Sequence, residues 1–162
     1  MATRNLTMVV SKRHYEDFAE RENLMNMDPS DMTKYSYVNM YLHHDGYPEW
    51  QGVQLANWLL ANPFQDPART AAKLVHDHYY SSCYLYNNPH QIDHQYTYIV
   101  FVGGSETLIL CYDQYSDRQV FLMTPGEVLN KYKEDMEYTD FANGEIRNEV
   151  NQEFDTIKKN KK

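Results

Sequence analysis

The sequence predicts an α+β fold, and three features carry that reading. Short stretches that read as strands occur at 5–11, 35–43, 95–102, 106–112 and 118–123, the first two with side chains alternating at period two. Two stretches with helical periodicity, each introduced by a proline, lie together between the second and third of these strands. A third helical pattern, of a different kind, occupies the C-terminus. The expected architecture is an antiparallel sheet of about four or five strands with two helices on one face and a C-terminal amphipathic helix. Residues 1–132 form the predicted domain, and 133–162 an acidic linker followed by that helix and its Lys-rich end.

The elements follow in chain order. In 5–11, Leu6, Met8 and Val10 share one face. Residues 12–34 are polar, charged and interrupted by Pro29, which predicts a long connection with at most a helical turn near 15–21. In 35–43, Tyr35, Tyr37, Asn39, Tyr41 and His43 alternate with Ser36, Val38, Met40 and Leu42, and the second set is the better core face. The two strands are expected to pair as a hairpin around the insertion. Asp45-Gly46-Tyr47-Pro48 is a turn, with Asp45 bonding the backbone, Gly46 at positive φ and Pro48 opening a helix over 49–61. Asn62-Pro63 ends that helix. Asp66 caps the next, Pro67 stands at its first position, and Ala71, Leu74, Val75, His78 and Tyr79 make its apolar stripe.

Residues 86–94 read as a polar loop, and Gly103-Gly104 as a hairpin turn between two strands. Thr124-Pro125-Gly126-Glu127 has the form of a capping box before a short helix. In the C-terminal segment Ile146, Val150, Phe154 and Ile157 recur on one side of an otherwise charged helix. So narrow a stripe needs a cover. The acidic 133–144 linker would hold it away from the domain, so it is assigned as an oligomer interface in a homodimer.

Composition sets limits on function. The 162 residues carry 15 basic and 23 acidic side chains, a net charge of −8. Four of the lysines lie in the last five residues, which leaves 11 basic against 23 acidic, or −12, in 1–157. So acidic a body disfavours nucleic-acid binding through a broad basic face and suits a basic partner. No stretch is apolar enough for a membrane span, and residues 1–10 do not have the form of a secretory signal. Cys83 and Cys111 form no metal-type or redox motif. Fifteen tyrosines suit half-buried strands and interfaces.

The segment 41–59, with His43-His44-Asp45-Gly46-Tyr47-Pro48 at its start, resembles a group of small proteins common in bacteriophage genomes. Their typical form is a strand ending in His-Trp-Asp-Gly-Tyr-Pro, then a glycine and an apolar helix. His43, Asp45, Gly46, Tyr47, Pro48 and Gly52 match, and His44 stands where tryptophan is usual. A weaker likeness covers Tyr96-Thr-Tyr-Ile-Val-Phe and the strand after it, in the place of a Tyr-rich hairpin of that family. The resemblance spans roughly a third of the chain. It implies a phage source, an accessory role and the host cytoplasm, and it transfers no catalytic residue.

Candidate chemistry is sparse. His43-His44-Asp45, His76-Asp77-His78 and His90 to His94 with Asp93 could converge on a metal, because imidazole and carboxylate suit zinc, manganese or iron. The spacings do not favour it: His76 and His78 point to different sides of a helix, and no HExxH occurs. There is no GxSxG, no phosphate-binding glycine loop and no paired His-x-Thr or His-x-Ser motif. No catalytic residue, metal ligand or cofactor is assigned. Tyr41, His43, Asp45, Tyr47 and Trp50 are assigned as ligand-binding, an aromatic wall beside a helix N-terminus where an anion or a stacked base could sit. The expected function is non-enzymatic binding of a host factor or defence component, in counter-defence or host takeover. The alternatives are sequestration of a small signalling nucleotide and a metal-dependent hydrolase using the His/Asp clusters.

Overall fold

A computed structural model describes residues 2–12, 28–63, 66–79, 83–88, 92–103 and 106–135. The predicted stripe Ile146, Val150, Phe154 and Ile157 and most of the acidic linker lie outside them. So do the helical turn at 15–21, His90 and Gly104. The chain divides into two units, Met1–Leu129 and Asn130–Lys162. The described part of the second, 130–135, is mostly helical.

The first unit is α+β, built on one six-stranded sheet. Its strands are β1 (Asn5–Ser11), β2 (Ser36–Leu42), β3 (Cys83–Leu85), β4 (Tyr96–Val102), β5 (Leu108–Asp113) and β6 (Arg118–Met123). Their spatial order is β3-β2-β1-β4-β5-β6. The hairpin of β1 and β2 forms as expected, with Leu6 opposite Tyr41, and β4, β5 and β6 follow as an antiparallel meander.

The expectation of a purely antiparallel sheet of four or five strands is corrected on two points. β3 is a sixth strand, three residues long, just before the stretch 86–94 that reads as a polar loop. β1 and β4 pair in parallel, with Leu6 opposite Thr97. The second point reflects where the chain re-enters the sheet: the Gln95 amide donates to the Arg4 carbonyl at 3.0 Å, beside the start of β1. From β3, outside β2, the chain crosses to the far side of β1 and enters β4 at the end where β1 begins, so the two strands run together.

β1 is therefore central and covered on both faces; Val9 and Val10 are fully buried. On one face lie helices α1 (Val53–Ala61) and α2 (Pro67–His78). α1 buries Val53, Leu55, Ala56 and Leu59, and α2, which lies against β1, β2 and β4, buries Ala71 and Leu74. Asp66 caps α2 as its sequence predicts, accepting from the amides of Ala68 and Arg69 at 2.8 and 3.3 Å. Pro48–Gly52 is a π-helical turn that leads into α1. Its Gly52 faces Phe121 and Tyr98 so closely that a Cβ would meet them at 3.4 and 3.7 Å. Helix α3 (Pro125–Lys131) follows β6; the Glu127 amide donates to Thr124 Oγ1 at 3.2 Å, which is one half of the capping box.

On the other face a second apolar cluster gathers Leu6, Met8 and Val10 with Ile99, Phe101, Leu108 and Leu110. Its lid is a 3-10 segment, Pro29–Tyr35, that interrupts the predicted loop and drives Met32 fully into the cluster. Asp28 starts the segment by accepting from the Ser30 amide at 2.9 Å, with Pro29 at the first position.

The Asp-Gly-Tyr-Pro turn forms, but not with Gly46 at positive φ. Asp45 takes the left-handed conformation, φ 55°. Gly46 is required for a different reason. A Cβ there would stand 2.8 Å from both Asn5 Cβ and the Thr3 carbonyl oxygen, because the Gly46 amide donates to that same oxygen at 2.8 Å.

Candidate functional site

The face opposite α1 and α2 carries the most open chemistry. The 3-10 segment covers only part of it, and beside that lid lies a cavity of about 330 Å³. Its floor is Leu6 and Met8 of β1 with Thr97 of β4; one wall is Pro29, Ser30 and Thr33, the other Ile92, Asp93 and His94. Gln114 and Tyr115 close the end.

Each wall has a local cause. The crossover from β3 to β4 runs over this face and brings Asp93 to Arg4, at 3.4 Å, and to the Tyr115 hydroxyl, at 3.3 Å. Gln114 and Tyr115 are held by an Asx turn in which Asp113 Oδ1 accepts from the amides of Tyr115 and Ser116 at 3.0 and 3.3 Å. Asp117 completes it at φ 52° and accepts from the Tyr112 hydroxyl, which pushes that phenol up to about 12.

A directed chain of hydrogen bonds runs through the floor. His94 Nδ1 is 3.0 Å from the Ile92 carbonyl oxygen, a group that only accepts, so Nδ1 carries the proton. Burial pushes the His94 pKa down, which keeps the ring neutral and leaves Nε2 as an acceptor. The Thr97 hydroxyl donates to it at 2.8 Å and in turn accepts from Gln114 Nε2 at 2.8 Å. Every proton in the chain is thereby placed.

Beside the cavity, at the β2–β3 edge, aromatic rings gather around Tyr41. Tyr41 and His43 Nδ1 share a 2.8 Å hydrogen bond. The ring centroids of Tyr84 and Tyr86 lie 6.2 and 5.7 Å from that of Tyr41, the second edge-on. Burial raises the Tyr41 phenol, against an opposing pull from Arg4.

The five residues assigned to ligand binding are distributed as follows. Tyr41 packs on the cavity-bearing face and His43 is bonded to it. Asp45 is exposed at the turn, Tyr47 precedes the π-helical turn, and Trp50 lies within it, on the side where Gly52 meets the helix-bearing face of the sheet. Burial raises the Tyr47 phenol, and the negative charges of Asp45 and Glu49 raise it further. The sequence reading missed the partners that Tyr41 does have, Tyr84 and Tyr86. Their only signal was Tyr-Leu-Tyr alternation in a stretch too short to read as a strand.

The histidines serve other ends. His78 Nδ1 donates to the Leu74 carbonyl at 2.8 Å, and burial pushes its pKa down. Asp77 accepts from Lys73 Nζ and Trp58 Nε1, both at 2.8 Å, and contacts His76 Nδ1 at 3.0 Å. These bonds, that of Lys73 foremost, hold its carboxyl well below the usual range. Among the described residues no three His, Cys, Asp or Glu side chains come together as a metal site. Burial raises the Cys83 thiol, which weakens it as a nucleophile.

Comparison with known proteins matches no family model, no curated protein and no solved structure. Among the described residues no helix is long and apolar enough to cross a membrane.

Proposed function

We propose that this protein is a non-enzymatic phage accessory protein that binds a host factor or defence component in the host cytoplasm, and that the β2–β3 sheet edge is its contact surface. One observation carries the proposal. Tyr37, Tyr84 and Leu85, on the outermost strand pair, are 54%, 56% and 58% exposed, and Tyr86, which follows β3, is also exposed. Aromatic side chains concentrate where proteins bind one another, because they bury much area for few frozen rotamers. An outermost strand also offers backbone groups to an incoming chain. The acidic body favours a basic partner. A phosphorylated ligand at the helix-opening turn is the weaker reading, since Asp45 and Glu49 flank Tyr47 there.

The test compares three tagged proteins as baits in lysate from infected cells, with quantitative mass spectrometry. They are the parent, the double variant Tyr84→Arg/Tyr86→Arg, and Leu60→Arg, a matched change at an exposed leucine of α1. The parent and Leu60→Arg should retain the same protein, and the edge variant should lose it at least tenfold. Equal retention by all three, or no specific capture by the parent, overturns the proposal.

A further inference from the structure

The cavity beside the 3-10 lid makes a second demand, independent of the sheet edge. Leu6, Met8, Pro29 and Ile92 give it an apolar side, and the rest of its described lining is polar. At about 330 Å³ it falls in the lower range of small-molecule sites. The polar groups are unbalanced. His94 and Thr97 are used up in the directed chain, each ring nitrogen and the hydroxyl having a partner. Gln114 and Asp93 offer acceptors, and the Ser30 hydroxyl can donate or accept. Gln114 uses its side-chain nitrogen on Thr97, which leaves its side-chain oxygen to the cavity. Among the described lining residues Asp93 brings the one formal charge, and its contacts to Arg4 and Tyr115 are long, 3.4 and 3.3 Å, against about 2.7–2.9 Å for a well-made charged pair.

We propose that this cavity binds a small organic cation, a primary amine or amidine on a flat apolar body. The body lies on Leu6 and Met8, and the N–H groups meet Asp93 and Gln114. A carboxylate or phosphate of the same shape is disfavoured, because it would bring negative charge to Asp93 in a chain of net charge −8.

Three probes with one ring system separate the contributions of shape and charge: tryptamine, its neutral alcohol counterpart tryptophol, and indole-3-acetate. Binding is followed by calorimetry and by the methyl resonances of the methionines in the full-length protein. Met8 lines the cavity, whereas Met40 is fully buried on β2, outside its walls. Tryptamine should move the Met8 methyl signal through the indole ring current and leave Met40 in place. It should bind about two- to fivefold tighter than tryptophol, as expected for a pair whose carboxylate is 70% exposed, and indole-3-acetate should bind weakest. Asp93→Asn should bring tryptamine down to the level of tryptophol. Ser30→Phe, which places a ring in the cavity, should abolish binding of all three. The proposal fails if none of the probes moves Met8 at millimolar concentration. It also fails if indole-3-acetate binds best, or if the tryptamine preference survives in Asp93→Asn. Unchanged binding by a folded Ser30→Phe places the ligand elsewhere and likewise overturns it. Should that variant not fold, the Met8 shift and the Asp93→Asn comparison decide the question.

Discussion

Replacing Gly46 by alanine tests the joint between the start of β1 and the turn that leads into α1. The added Cβ would lie 2.8 Å from Asn5 Cβ, 2.8 Å from the Thr3 carbonyl oxygen and 3.0 Å from Asn5 Nδ2. Asn5 cannot retreat. It is fully buried and paired on both sides, to Leu42 of β2 and Tyr96 of β4. The turn must move instead, and two hydrogen bonds depend on where it stands: the Gly46 amide to Thr3 at 2.8 Å, and the Tyr98 hydroxyl to the Gly46 carbonyl at 2.6 Å. Tyr98 is fully buried, so a lost acceptor there costs about 1–3 kcal/mol. Overpacking a tight contact adds a further cost of about 1–3 kcal/mol. The expected loss is roughly 3 kcal/mol, or about 6–12 °C in Tm for a chain of this size. Urea and thermal unfolding followed by circular dichroism measure it.

Asp45→Gly is the matching control. Asp45 occupies φ 55°, where glycine is unstrained, so this change should fall within about 1 kcal/mol of the parent. Adding Tyr98→Phe to each variant completes the cycle, and the hydroxyl deletion should cost less once Gly46 has been displaced. A Gly46→Ala protein that melts with the parent refutes the reasoning. So does an Asp45→Gly protein that loses as much as Gly46→Ala.

Three further predictions concern the rest of the molecule. His78 and His94 both have folded pKa values pushed below the ordinary 6.5, so the unfolded chain takes up protons first as pH falls. Stability is then full above that value and declines below it, by up to about 1.4 kcal/mol per pH unit for each ring, and unfolding at pH 7.5 and 5.5 should show the decline shrinking in His78→Gln and His94→Gln. A flat profile would contradict the burial of the two rings. Trp58→Phe and Asp77→Asn should each cost about 1 kcal/mol, and the double variant clearly less than the sum, because the Trp58–Asp77 bond at 2.8 Å ties α1 to α2. Light scattering should find the full chain dimeric and a chain ending at Gly144 monomeric, the outcome expected if Ile146, Val150, Phe154 and Ile157 cover one another; two monomers would assign the stripe another role.

Much of the fold was legible because its causes are local. The bounds of β1 and β6 match those read from the sequence residue for residue. The start of α2 was marked by Asp66 and Pro67, a side-chain acceptor and a fixed φ within two positions of each other. Even the Asp-Gly-Tyr-Pro turn was placed correctly. Its reason was not, because which residue turns left-handed and which must lack a Cβ depends on Thr3 and Asn5, more than forty positions away.

The candidate site belongs to the other category. Tyr41 was singled out from its strand, yet its ring partners Tyr84 and Tyr86 lie in and just after a strand of three residues, which has too few side chains to show a period. The cavity draws on β1, the 3-10 segment, the crossover, β4 and the turn before β6, and no window of sequence contains more than a few of its walls. What assembles it is the parallel pairing of β1 with β4. That pairing follows from where the crossover returns the chain, beside Arg4 at the start of β1. Alternation and capping act between neighbours in the chain and can be read there. The energy that chooses among sheet orders comes from contacts between segments far apart, and only the folded chain brings those together.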